Sequence, residues 1–89
     1  MHFVYILYSQ TLDKYYVGST SNLAVRLIKH NGNHKGFTGK AADWAITFSE
    51  SYANKSLALA REMAIKKWKS RIRIEKLISE YAGSEHPDL

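Results

Sequence analysis

Two short runs of strand-forming residues near the N-terminus constrain this chain more than any other feature. His2 to Tyr8 is almost wholly β-branched, aromatic or leucine. Residues 9–14 are mostly polar and bring the chain round, and Tyr15 to Ser19 resumes the strand pattern. A connection this short favours an antiparallel hairpin. The chain therefore begins as sheet, and the segments that follow must cover it.

Helical signals follow at once. Thr20, Ser21 and Asn22 offer N-cap side chains. Leu23, Ala24, Leu27 and Ile28 make an apolar stripe up to about His30. Arg26 and His30, four residues apart, are then expected together on the opposite face. Gly32, Gly36 and Gly39 mark a loop that also holds Asn33, His34, Lys35 and Lys40. It is long for a compact domain, and loops of this kind are often functional.

Residues 44–52 read as a third strand. Asn54 or Ser56 can cap the next helix, in which Leu57, Ala60, Ala64 and Trp68 recur at helical spacing beside Leu59 and Met63. Trp44, Met63 and Trp68 are expected in the core. Ser70 marks a break, and Ile72, Ile74, Leu77, Ile78 and Tyr81 continue as a final helix, ended by Gly83 and Pro87. The expected strands are 2–8, 15–20 and 44–52, and the expected helices lie near 21–31, 55–69 and 71–82. The order β-β-α-β-α-α describes an α+β fold, a small three-stranded antiparallel sheet flanked by helices. Residues 1–82 are expected as one domain, with 83–89 as a short C-terminal tail.

Length and composition narrow the classes. At 89 residues the chain is enough for one small domain. It has no cysteine, which excludes a disulfide framework and a thiolate metal site. No apolar run approaches a membrane span, and the N-terminus lacks the pattern of a signal peptide, so a cytoplasmic location is expected. The formal charge is +5, and Lys66, Lys67, Lys69, Arg71, Arg73 and Lys76 cluster near the C-terminus, diluted only by Glu75. Such a patch suits a polyanion, although a solvated helix face has the same composition.

The residues able to carry chemistry are sparse. There is no HExxH, no Walker A loop and no GxSxG. Carboxylates are few and form no obvious close pair, so a site built on several acidic metal ligands is not offered. What stands out is an ordered set. Phe3-Val4-Tyr5 lies in the first strand and Tyr16-Val17-Gly18 in the second, with ten residues between the two tyrosines. Arg26, His30 and then Glu62 follow on helices.

In this order and spacing the set resembles the GIY-YIG nuclease superfamily, which cuts phosphodiester backbones with one metal ion. Tyr5 matches the tyrosine of the first motif, although Phe3 stands where the name-giving glycine would be. Tyr16, Val17 and Gly18 match the second motif, with valine for isoleucine. Arg26 falls on the helix arginine, His30 on the polar residue one turn later, and Glu62 on the metal-binding glutamate. Tyr-Ile-Leu-Tyr-Ser at 5–9, Phe37-Thr38 before a tryptophan, and Ile-Lys-Lys-Trp-Lys-Ser at 65–70 are similar to the small stand-alone bacterial members.

The resemblance implies a metal-dependent DNA endonuclease, of low sequence specificity or selective for a DNA structure. Repair, recombination and defence are all open as pathways. It implies one Mg²⁺ or Mn²⁺ ion on Glu62 and no small-molecule cofactor. Mg²⁺ commonly uses one or two carboxylates and keeps several waters. Arg26 is expected on the phosphate oxygens, where its planar fork fits. The resemblance makes Tyr5 or Tyr16 the general base, and His30 shares that role or donates to phosphate. Lys35, Lys40, Lys66, Lys67 and Lys69 are candidate DNA contacts.

Singly, each residue has a plainer reading. Strand tyrosines pack sheets, His30 suits a helix C-terminus, and Glu62 can merely pair with Lys66 at i,i+4. Gly18 can serve close packing. Two rival functions follow: a non-catalytic nucleic-acid-binding module of the same fold, and a small domain that binds an acidic protein.

Overall fold

The computed structural model describes residues 1–83. The expected tail therefore lies, from residue 84 on, outside the described residues. Strand β1 (His2–Ser9) is central, with β2 (Lys14–Thr20) on one side and β3 (Ala45–Tyr52) on the other, both antiparallel to it. The expected hairpin sets Tyr5 opposite Gly18 and Leu7 opposite Tyr16. On the β3 side the register slips between Ile6 and Leu7, and the Thr47 hydroxyl donates to the Ile6 carbonyl at 3.0 Å across that irregularity.

Helix α1 (Leu23–Asn31) starts at Asn22, whose side chain accepts the Val25 N–H at 3.1 Å. Helix α2 (Lys55–Trp68) starts in the same way at Asn54, which takes the Leu57 N–H at 3.0 Å. It ends at Lys69, in the left-handed region at φ 48°, and α3 (Arg71–Gly83) follows. The glycine-containing loop holds one further element, a short 3₁₀ helix at Phe37–Lys40 that the composition alone did not signal.

The alternation of β1 divides the interior in two. Val4 and Ile6 point to one face, where they pack with Val17, Phe48, Ala58 and Ile65 under α2 and α3. Tyr5 and Leu7 point to the other, where Trp44 joins them and Leu23 and Leu27 of α1 close the packing.

Three expectations about burial are corrected. In α2 the inward strip is Ala58, Glu62 and Ile65, at i, i+4 and i+7, rather than Leu57, Ala60 and Ala64. Met63, expected in the core, is 54% exposed, and Trp68 is only half-buried. In α1 the inward strip is Leu23, Leu27 and His30, while Ala24 and Ile28 face out. Arg26 and His30 therefore do not share the outer face: Arg26 is exposed and His30 is buried. In both helices apolar residues sit on more than one side, so the sheet decides which side is covered.

Candidate active site

The site begins at Gly18. A Cβ there would lie 2.5 Å from the Tyr5 hydroxyl oxygen, so the phenol occupies the space a side chain would take. Gly18 has an ordinary negative φ, so the glycine serves this close approach and not a special turn. Tyr16, two residues earlier on the same face, sets its ring centre 6.5 Å from that of Tyr5.

His30 comes down from the last turn of α1 onto both rings, with its own ring 4.8 Å from Tyr16. Its Nε2 lies 2.7 Å from the Tyr5 oxygen, and its Nδ1 lies 2.7 Å from Oγ1 of Thr38. Thr38 in turn lies 2.9 Å from Nε2 of His34. The line of four groups runs from the buried phenol to an exposed imidazole. The Gly36 N–H donates to Nδ1 of His34 at 3.0 Å. With its Nδ1 accepting, His34 presents Nε2 as the donor to the Thr38 oxygen. The Thr38 oxygen has two lone pairs, so it can either donate to Nδ1 of His30 or accept from it, and the tautomer of His30 sets which of His30 and Tyr5 donates in the bond between them.

The loop is built to hold this line. The indole of Trp44 donates to the Thr38 carbonyl at 2.7 Å. Asn31 grips the Trp44 backbone on both sides, at 2.7 and 3.0 Å. Gly39 lets the His34 carbonyl come so close that a Cβ would overlap it.

Burial pushes the Tyr5 phenol well above the ordinary tyrosine range, the neighbouring Tyr16 and Glu62 add to the shift, and Arg26 opposes it. Tyr5 is thus protonated at neutral pH. Burial, then the charges of Arg26 and His34, hold the His30 imidazole below its usual range, so it is neutral there too.

Glu62 and Lys66 complete the surface from α2. The Lys66 ammonium bonds the Glu62 carboxylate at 2.6 Å and stands 5.9 Å from the centre of the Tyr16 ring. The Glu62 side chain is only 12% exposed. The i,i+4 pair that the plainer reading offered is therefore present, and it sits against the tyrosines.

Tyr5, Tyr16, His30, Arg26 and Glu62 are thus gathered at one place from β1, β2, α1 and α2. The family model described as the GIY-YIG catalytic domain matches residues 1–77. The chain belongs to the GIY-YIG family. Comparison with curated proteins and with solved structures gave no match. GIY-YIG domains have a nuclease-type fold, are usually endonucleases acting on nucleic acid, and generally use divalent metal ions.

Among the described residues no group of three or more His, Cys, Asp or Glu side chains is arranged to hold an ion. A cage of protein ligands is thus not offered. A single carboxylate, Glu62, would fit a divalent ion only if oxygens from outside the protein filled its other positions.

Other expected contacts separate. Arg71 is engaged with Asp13 at 2.6 Å and Glu75 at 3.0 Å, and Arg73 covers the Trp68 ring at 4.5 Å, so these two are occupied within the fold. Lys67 and Lys69 are exposed and form no ion pair among the described residues. Lys35 is exposed in the loop, and Lys40 lies 5.6 Å from the Phe37 ring centre. Among the described residues no helix is long and apolar enough to cross a membrane.

Sequence reasoning missed Thr38 and His34. In the sequence Phe37-Thr38 is only a likeness, and the role of Thr38 depends on His30 being buried.

Proposed function

We propose that the protein is a metal-dependent DNA endonuclease in which Tyr16 is the general base and Tyr5 a hydrogen-bond donor. The observation that carries this reading is the burial of the Tyr5 phenol, which holds it protonated at neutral pH, beside a Tyr16 that is only half-buried. A phenol that keeps its proton has it to donate. A phenol so placed serves a non-bridging phosphate oxygen or the attacking water better than it abstracts a proton. Tyr16 is half-buried, unlike Tyr5, and can take the proton of the attacking water. Arg26, exposed beside the phenols, is suited to the phosphate oxygens that gain charge as the fifth oxygen approaches. Glu62 would hold the divalent ion. When bound, that ion supplies Lewis-acid relief of charge on phosphate and leaving oxygen. His30, Thr38 and His34 fix the phenol and do not touch substrate.

The alternative is a non-catalytic module of the same fold that binds nucleic acid. The Lys66–Glu62 pair favours it, since an ammonium already satisfies the one carboxylate a metal needs. A pair of variants decides between them. On a panel of duplex, branched, flapped and single-stranded DNA with Mg²⁺ or Mn²⁺, the parent should cleave at least one substrate. Arg26→Ala should lose about 10²–10³-fold in rate and still bind Mn²⁺ by relaxation enhancement. Glu62→Gln should lose both cleavage and Mn²⁺ binding while still binding DNA. Binding without cleavage by the parent in either metal would establish the module. Cleavage by purified Glu62→Gln, or by the parent in excess chelator, would sink the metal assignment.

A further inference from the structure

Phe37 is exposed where the fold has reason to bury it. It opens the 3₁₀ helix, remains 41% exposed, and lies nearly parallel to Tyr16, at 19° and 6.4 Å between ring centres. Trp44 supports it from the side at 5.9 Å. The next residue, Thr38, is pinned through its hydroxyl and its carbonyl, so Phe37 stands on an immobilised turn. Beside it opens a cavity of about 430 Å³ shared by Lys14, Lys69, Arg71 and Ile74, with Asp13 at the edge. Arg71 is held there between two carboxylates, Asp13 and Glu75, which together outweigh its charge by one. Lys14 and Lys69 have no ion pair among the described residues, so the cavity is net cationic.

Lys69 adds an independent observation. It ends α2 at φ 48° and ψ 37°, a left-handed conformation that glycine adopts at no steric cost and other residues adopt at a cost. A lysine stands at that position and lines the cavity.

We propose that this cavity is a subsite for one unpaired nucleotide of the DNA strand, its base stacked on Phe37 and its phosphate held by Lys14 and Lys69. An aromatic face with cations around it is the arrangement that holds single strands without reading their sequence. Because Phe37 lies against Tyr16, the bound nucleotide is next to the phosphodiester the site would cut. The Lys40 ammonium, now 5.6 Å from the Phe37 ring centre, is a flexible cation that can move with an incoming phosphate. Paired bases cannot enter such a cavity without leaving their stack. The subsite therefore makes the enzyme selective for DNA that offers an unpaired nucleotide beside the cut, such as a flap or a gap. This inference rests on the nuclease reading above.

The test uses the whole chain carrying Glu62→Gln, so that DNA is bound and not cut. Binding of single-stranded and flapped oligonucleotides is compared with binding of a blunt duplex. Phe37→Leu keeps apolar volume against Tyr16 and Trp44 but offers no aromatic face. It should weaken single-strand and flap binding about ten-fold and leave duplex binding within two-fold. Phe37→Trp should restore or exceed parental binding. Lys69→Gly should reduce the salt dependence of single-strand binding by slightly less than one ion. Equal weakening of duplex and single strand by Phe37→Leu would overturn the subsite, as would no change in either. A parent that binds no DNA of any form would instead remove the nuclease reading on which the subsite rests.

Discussion

The two faces of the sheet are made by the same central strand and are unlike in every other respect. Val4 and Ile6 look into an interior of Val17, Phe48, Ala58 and Ile65, closed by two helices. Tyr5 and Leu7 look the other way, toward one short helix and a loop, with His30 and Thr38 buried beside them. One face is apolar, so its stability comes from removing hydrocarbon from water. The other buries hydroxyls and an imidazole, which is tolerable only because each has a partner. Among the described residues no buried side-chain nitrogen or oxygen lacks one. The difference teaches a division of work. The apolar face holds the chain together, and that permits the polar face to keep a neutral histidine and a raised phenol at fixed positions. Glu62 joins the two, since it lies on the inward strip of the helix that covers the apolar face and bonds Lys66, whose ammonium stands 5.9 Å from the centre of the Tyr16 ring.

Truncation on the apolar face should break this division most severely. Phe48 is 2% exposed, packs edge-on against Tyr81 at 5.2 Å, and stands opposite Ile6. Phe48→Ala should cost about 3–5 kcal/mol, a large part of the stability of a domain this size. Urea unfolding measures the loss. At low temperature, where folded molecules remain, cleavage per folded molecule should stay within a few-fold of the parent. A selective loss of turnover with little loss of stability would show that the two faces are not separable in this way.

A smaller and differently distributed effect is expected at Gly18. A methyl group there would displace the Tyr5 hydroxyl, whose oxygen is 2.5 Å from the ideal Cβ position. Overpacking of this kind costs about 1–3 kcal/mol. A displacement on the order of 1 Å can lower turnover about 10²-fold. Gly18→Ala should therefore injure catalysis more than folding, the reverse of Phe48→Ala. The double variant Gly18→Ala/Tyr5→Phe should be no slower than Gly18→Ala alone, because the hydroxyl is then absent and only the ring carbon that bore it, 2.7 Å from the Cβ position, has to shift. If the double variant is much slower, the clash acts on something other than the Tyr5 hydroxyl.

Most of the fold could be read from the residues, and so could part of the site. Strand-forming runs around a short polar turn gave the hairpin, and Asn22 and Asn54 gave the helix starts, because these signals are local. The break near Ser70 was equally local and is placed by Lys69. What could not be read is which side of each helix faces the sheet. Leu57, Leu59 and Met63 are as apolar as Ala58 and Ile65, and only the sheet distinguishes them. The same holds at the site. His30 looked like an outward cation at a helix end until partners 25 and 8 residues away, Tyr5 and Thr38, brought it inside. The motif residues were recognisable as a set, whereas the line of hydrogen bonds from Tyr5 to His34 is a property of the loop that Gly36, Thr38 and Trp44 fix.

The least of the expected effects separates the two faces by pH alone. His30 is held below its ordinary value of 6.5 by burial and by the charges of Arg26 and His34, whereas the unfolded chain lets it titrate normally. Between the two values the unfolded state binds more protons than the folded one, so stability rises with pH there. The contribution is complete above 6.5 and is lost as pH falls through that value toward the lower folded one. Asp13 and Asp43 are also lowered, by hydrogen bonds to Arg71 and to Ser9 respectively, but from 3.8, so their losses begin in more acidic solution. Urea unfolding at pH 7.5, 6.5, 5.5 and 5.0 isolates the histidine window. The parent should lose stability across it, and His30→Gln should lose less, since the group that titrates is absent. A protonated His30 also has two donors and no acceptor, so whichever of Tyr5 and Thr38 donates to the neutral ring can no longer do so. Turnover should then fall over the same acid limb, while Phe48→Ala keeps that limb unchanged because its damage lies on the other face. A parent and a His30→Gln variant with parallel stability profiles from pH 7.5 to 5.0 would mean that His30 titrates alike in the folded and unfolded chains, and the polar face would lose its claim to a neutral histidine.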